Sequence, residues 1–356
     1  MAISQLSLTD FRNLRSTTLD FNSRFNFISG DNGSGKTSLL EAIYVLCQAH
    51  SFRTHQLKQC INHDKSGFLL FGRFGDHKAG LAKNDKKLEI HVDGENIKRR
   101  SELVRKTPIN VVNADSFVLL DGAPQKRRAF IDWCMFHVEP GYAEQWRLFQ
   151  HALRQRNRLL KSRQDIKLLD YWDQHLIEPS LSLSAMRRDY CIKLQAIVEA
   201  ELCEILSGLS LEIEYQQGWS DDLSLIDAIK NNRERDIRSG FTNAGIHRDD
   251  LRFMSGGRNA CEILSRGQSK RLCLALLLAA LKVVSKSRQN RIILLIDDLT
   301  SELDSKAQNT VYEQLREIGL QVFISNIDSA VPEAIRGKEI KLFHVEHGII
   351  RPRNFS

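Results

Sequence analysis

Gly30-Asp31-Asn32-Gly33-Ser34-Gly35-Lys36-Thr37 follows the strand-like run Phe25-Asn26-Phe27-Ile28 and opens a helical pattern from Lys36 to Gln48. In that helix Leu39, Leu40, Ile43 and Leu46 recur on one face. The spacing G-x-x-x-x-G-K-S/T between a strand and a helix predicts a phosphate-binding loop. Gly33 and Gly35 let successive N–H groups turn inward on phosphate oxygens, and the helix start adds its positive end. Lys36 is expected over the β- and γ-phosphates, with the Thr37 hydroxyl on Mg²⁺. Gly30, Asp31, Asn32, Ser34 and Ser38 complete the candidate nucleotide-binding set. An ordinary glycine turn explains neither the Lys-Thr pair nor its setting.

A phosphate loop needs a carboxylate at the end of a neighbouring strand. Arg291-Ile292-Ile293-Leu294-Leu295-Ile296 reads as a strand apolar on both faces, as in the middle of a parallel sheet. Asp297 and Asp298 leave its carboxyl end, where ligands bind in open α/β sheets. Asp297 is assigned to Mg²⁺ and Asp298 to the attacking water. Helix capping accounts for one of the two at most. Gln321 to Ser325 reads as another central strand, and Asp93-Gly94 marks a hairpin over 88–98.

Between about 124 and 230 the period turns helical and strand signals nearly vanish. Tyr142, Trp146, Phe149, Leu153 and Leu160 form an apolar stripe, and Pro179 is expected to end one helix and start another. Strand patterns return beyond Phe241, and Leu272 to Val284 reads as a buried helix. The expectation is an α/β head from residues 1–120 and 240–356, a mixed sheet flanked by helices, interrupted by a helical arm at 121–239.

Bulk composition narrows the setting. The 356 residues are 42% hydrophobic and 27% charged, enough for a packed core. Met1 to Asp10 lacks a secretory pattern, and Leu272 to Leu281 is too short to span a bilayer. A soluble cytoplasmic chain without membrane contact is expected. Seven scattered cysteines, never in C-x-x-C, argue for reduced thiols over a disulfide framework or zinc site. The net charge of +7 is compatible with a polyanionic partner.

Leu264-Ser265-Arg266-Gly267-Gln268 precedes the apolar helix. Ser265 alone reads as an N-cap. Together with the phosphate loop and the apolar-Asp-Asp strand, the set resembles the ATP-binding-cassette ATPases, and their SMC-like branch in particular. The resemblance implies an ATPase head. It also implies that Ser265, Gly267 and Gln268 contact the γ-phosphate held by the loop of a second copy, so two chains sandwich two ATP molecules. Ser301-Glu302-Leu303-Asp304 resembles the D-loop of that class, and Arg12 and Asn13 in Asp10-Phe11-Arg12-Asn13-Leu14 resemble the segment beside the nucleotide. The place of the transporter-type switch histidine falls near Ser325 or Asn326, so no histidine is assigned to γ-phosphate sensing.

Only about two hundred residues separate Lys36 from Ser265, without sustained heptads, which sets the chain apart from long coiled-coil SMC proteins. A short arm is similar to the RecF family of bacterial recombination-repair proteins. Ser51-Phe52-Arg53-Thr54, the stretch Leu120 to Asp132, Gly245 to Leu251, and Ser265 to Arg271 fit that family. It implies an ATP-dependent homodimer with weak DNA-stimulated ATPase activity, and binding to duplex and gapped DNA without sequence preference. It further implies RecO- and RecR-type mediators, RecA loading and a role in the damage response. Arg147, His151, Arg154, Arg158 and Lys161, spaced four, three, four and three, form one candidate DNA-binding stripe. Lys98-Arg99-Arg100 and Lys126-Arg127-Arg128 add basic clusters, though any single cluster is ordinarily a solvated face. His247-Arg248-Asp249 lacks the companions of a kinase loop. Another SMC-like head, such as a nuclease partner, and a non-enzymatic scaffold held by ATP remain open.

Overall fold

A computed structural model describes residues 2–98, 100–162, 166–201, 205, 209–288, 292–298, 305–327, 331–335 and 339–353. The chain divides into two compact units, Met1–Phe117 with Val284–Ser356, and Val118–Val283.

The described residues of the first unit form two six-stranded sheets. One runs in the order Ile349–Arg353, Ile340–Glu346, Phe25–Ser29, Gln321–Asn326, Ile293–Asp297, Ile109–Val112. Its strands are parallel except for the 349–353 edge. The 25–29 and 321–326 strands are buried at every position, and 293–296 likewise, as expected of central strands and of the run apolar on both faces before Asp297. The other sheet is antiparallel: Thr17–Asp20, Gln5–Thr9, Gly67–Phe74, His77–Asn84, Leu88–Val92, Glu95–Asn96. The last two strands turn at Asp93 and Gly94, whose φ values of 56° and 89° fit the twist that a two-residue hairpin turn requires.

One apolar core joins these layers. Leu6, Leu8, Leu70 and Leu81 come from the antiparallel sheet, and Ile293, Leu295, Phe323 and Phe343 from the parallel one. Leu39, Leu40, Ile43 and Leu46 of the helix Lys36–Gln48 share that core, as their spacing predicts. The phosphate loop is therefore fixed at both ends, by a central strand and by a helix buried along its length.

The second unit carries the helices Pro124–Val138, Tyr142–Ser162 and Leu169–Glu201 with a small sheet. Pro179 lies inside the 169–201 helix instead of dividing it. Packing outweighs the lost N–H, because Leu169, Leu176, Leu183 and Tyr190 are buried along that helix on both sides of the proline. A heptad seam is present here after all: positions 169, 173, 176, 180, 183, 187, 190 and 194 are all buried. Asp173, Ser180 and Arg187 occupy it, so hydrophobicity alone does not show the period.

The strand Asp250–Ser255 pairs with Glu212–Gln216 and Arg258–Asn259, in neither head sheet. That pairing keeps residues 240–283 in the second unit, and the boundary expected at 240 falls within it. The 212–216 strand has exposed Glu212, Glu214 and Gln216 alternating with half-buried Ile213 and Tyr215. Two apolar side chains among acids make a weak strand signal in the sequence. No helix among the described residues is long and apolar enough to cross a membrane.

Candidate nucleotide site

Backbone geometry makes the loop a cradle. Gly33 and Gly35 have φ of 78° and 123°, in the region that glycine enters without strain. A Cβ on Gly30 would lie 2.2 Å from the Val345 carbonyl oxygen. No side chain caps the 36–48 helix, whose N-cap is Gly35, so no side-chain group competes for its first N–H donors. Lys36 Nζ donates to the carbonyls of Gly30 and Asp31, at 2.7 and 2.9 Å. Burial lowers the pKa of its ammonium, against the pull of Asp298, Asp297 and Asp31. Ser34 Oγ is buried with no hydrogen-bond partner.

Strand register brings the acidic pair to the loop. Asp297 pairs with Ser325, and Ser325 with Ile28, across the parallel sheet. Thr37 Oγ1 donates to Asp297 Oδ1 at 3.1 Å, across 260 residues of sequence. A hydroxyl and a carboxylate this close are the two protein ligands that a Mg²⁺ bound to polyphosphate uses. Among the described residues no group of three His, Cys, Asp or Glu offers an all-protein metal site. Asp298, at φ 55°, is half-buried beside them, and its N–H donates to Ser325 Oγ at 3.1 Å. Ser325 Oγ in turn donates to Asp297 at 2.6 Å. Lys36, Thr37, Ser38, Asp297, Asp298 and Ser325 line one cavity of about 730 Å³.

Arg12 and Asn13 also line that cavity. Asn13 Nδ2 donates to the Gly33 carbonyl at 3.3 Å, and its Oδ1 accepts from Ser38 at 2.8 Å, so it braces the loop. Arg12 spends its guanidinium on Glu41 and the Gln59 carbonyl. Sequence reading missed Glu41, Arg53 and the 61–63 segment as parts of the site; none carries a spacing signal. Asp31, Asn32 and Ser34 stand in the loop as expected.

Ser265 opens the helix Arg266–Arg288 in the second unit. The Gln268 N–H donates to Ser265 Oγ at 3.3 Å, and the Ser265 N–H to Gln268 Oε1 at 2.9 Å, a reciprocal capping box. Ser265 and Gly267 are exposed, so the cap presents a face to solvent. Arg147, His151, Arg154, Arg158 and Lys161 are all exposed along the helix Tyr142–Ser162. Arg156, midway between Arg154 and Arg158 in sequence but on another face, is buried on Asp173 and Asp236. Of the other basic clusters, Arg127 pairs with Asp250. Residues 301–304 and Arg99 lie outside the described residues.

A phosphate loop, an acidic strand two places away in a parallel sheet, and a capped Ser-x-Gly-Gln segment define an SMC-like ATPase head of the ATP-binding-cassette class. The RecF/RecN/SMC N-terminal domain family matches residues 2–351. A DNA replication and repair protein RecF from Stutzerimonas stutzeri (strain A1501) is 38% identical over 98% of this chain and 97% of its own. A solved structure of the recombination mediator protein RecF–ATP in the RecFOR pathway superimposes with a TM-score of 0.86. It shares 25% identity over 99% of this chain and 98% of its own. An Smc head bound to the C-terminal winged-helix domain of ScpA shares the fold, with a TM-score of 0.62 at 14% identity over 100% and 98% of the two chains. The chain belongs to the RecF family.

Proposed function

We propose that this chain is an ATP-dependent DNA-binding protein of recombinational repair and replication-fork maintenance, acting as a homodimer that closes on ATP and opens on hydrolysis. The convergence of Lys36, Thr37, Asp297 and Asp298 on one cavity carries this reading. Bound Mg²⁺–ATP supplies the phosphoanhydride bond and a divalent charge. Lys36 exchanges its two carbonyl partners for phosphate oxygens. Thr37 and Asp297 hold the metal. Asp298, with its backbone anchored by Ser325, orients the attacking water and accepts its proton. Ser265, Gly267 and Gln268 of a second copy close over the γ-phosphate; the exposure of Ser265 and Gly267 on their own chain supports this.

The relatives' roles, DNA replication and repair and recombination mediation in the RecFOR pathway, support a DNA substrate and mediators of the RecO and RecR type; RecA loading at gapped DNA is the step we propose for the assembly. The exposed stripe from Arg147 to Lys161 is the candidate duplex contact, its cations being placed to meet backbone phosphates, which carry no sequence information. ATP turnover with and without duplex DNA, for wild type and Lys36→Arg, tests the reading. Slow turnover that DNA stimulates and Lys36→Arg abolishes is expected; no turnover in any sample favours a scaffold. If about four basic side chains meet phosphates, DNA affinity falls with salt at a log–log slope of roughly −3 to −4. Salt-independent binding removes the DNA half of the proposal.

A further inference from the structure

Glu41 is fully buried on the helix that follows the phosphate loop. Burying a carboxylate is costly unless cations and donors surround it, and here they come from three separate segments. Arg12 donates from Nε at 2.9 Å and Nη2 at 2.8 Å. Ser51 Oγ donates at 2.5 Å, Arg53 Nη1 at 3.3 Å, and Cys60 Sγ at 3.5 Å. Burial pushes the Glu41 carboxyl up, but Arg12, Ser51 and Arg53 together hold it below its ordinary value, so it is charged at neutral pH.

The two arginines are held differently. Arg12 has φ of 51°, and its third nitrogen donates to the Gln59 carbonyl at 2.6 Å. All three of its guanidinium nitrogens are spent on protein. Arg53 is held by one nitrogen only, and 44% of its side chain is exposed. It lines the same cavity as Lys36 and Thr37.

We propose that Glu41 is a positioning residue of the nucleotide site: it locks Arg12 into the wall and holds Arg53 by one edge, leaving the other edge as a second cation for the polyphosphate. This rests on the reading that the cavity holds a nucleoside triphosphate. Arg53, rather than Arg12, is then the guanidinium that meets the bound phosphates, and it acts only while Glu41 holds it. Arginine suits the place because its planar fork can bond a carboxylate and a phosphate at once.

Equilibrium titration with Mg²⁺–ATP tests the coupling in wild type, Arg53→Ala, Glu41→Gln and the double variant. Each single change is expected to weaken ATP binding roughly 10-fold, the size of one lost charged hydrogen bond. The double variant is expected to bind no more weakly than either single one, because both remove the same contact. Additive losses near 100-fold, or Arg53→Ala binding like wild type, overturn the inference. A Glu41→Gln protein that melts earlier but binds ATP normally shows a purely structural carboxylate and also overturns it. If Glu41→Gln does not fold, Glu41→Asp keeps the charge with a shorter reach; its loss of affinity must vanish in the Arg53→Ala background. A wild type that takes up no ATP overturns the proposed function and this inference together. A wild type that binds while Arg53→Ala binds equally overturns the inference alone.

Discussion

Ser325 gives its hydrogen to the Asp297 carboxylate and takes one from the Asp298 backbone, so one hydroxyl fixes the geometry of both acids. Asp298 sits at φ 55°, a conformation that side-chain-bearing residues adopt only when something holds them. Ser325→Ala removes that hold. A lost hydrogen bond to a carboxylate is worth about 1.5–3 kcal/mol, so ATP turnover is expected to fall about 10-fold or more while ATP affinity changes little. Single-turnover assays beside ATP titration check the split. Lys36, Thr37, Asp297 and Asp298 were legible in the sequence because their spacing follows from the chemistry of phosphate and metal. Ser325 was located by its place in the family and not by any role. Glu41 was invisible, since an acid on a helix otherwise rich in leucine shows nothing of the arginines that fold down on it.

The helix Leu169–Glu201 depends on charge buried in its seam. Arg187 is fully buried; it bonds Asp249 at 2.5 Å, the Tyr142 hydroxyl at 3.1 Å, and also Asp132. Arg187→Met leaves the buried Asp249 without its cation, held by the Tyr215 hydroxyl at 2.7 Å alone while its other oxygen has no partner, and is expected to cost about 3–5 kcal/mol. Urea unfolding followed by helical signal measures it. The stretch Gly245 to Leu251, which marked the family, thus includes an anchor inside the second unit. His247 shows the same economy: Nε2 donates to the Thr242 carbonyl at 2.9 Å and Nδ1 is buried without a partner. Burial, with Arg248 and Arg128 nearby, lowers its pKa from 6.5 to about 4. Between those values the unfolded chain binds the proton and the folded chain does not. Stability is therefore full above pH 6.5 and lost as pH falls toward 4. Melting temperatures across that range should slope less for His247→Gln; His50, also lowered to about 4 by burial, keeps part of the slope. A strict hydrophobic period would have betrayed this helix, but Asp173, Ser180 and Arg187 interrupt it.

At the scale of the whole molecule, the two ends of the chain build one unit because the phosphate loop and its acidic strand must share a sheet. That much followed from residues 30–37 and 292–298 together. The extent of the insertion did not, because it depends on Asp250–Ser255 choosing the 212–216 strand as partner, a pairing with no local sequence mark. In the proposed dimer each cavity is half a site, completed by Ser265 of a second copy. The most direct test is sedimentation mass for wild type and Ser265→Arg, with and without Mg²⁺ and a slowly hydrolysed ATP analogue. Wild type is expected to move from its chain mass of 40.8 kDa to about twice that on nucleotide, while Ser265→Arg binds nucleotide and stays at the chain mass. A wild type that remains at chain mass with nucleotide bound, or a Ser265→Arg protein that dimerises equally well, contradicts the proposed dimer.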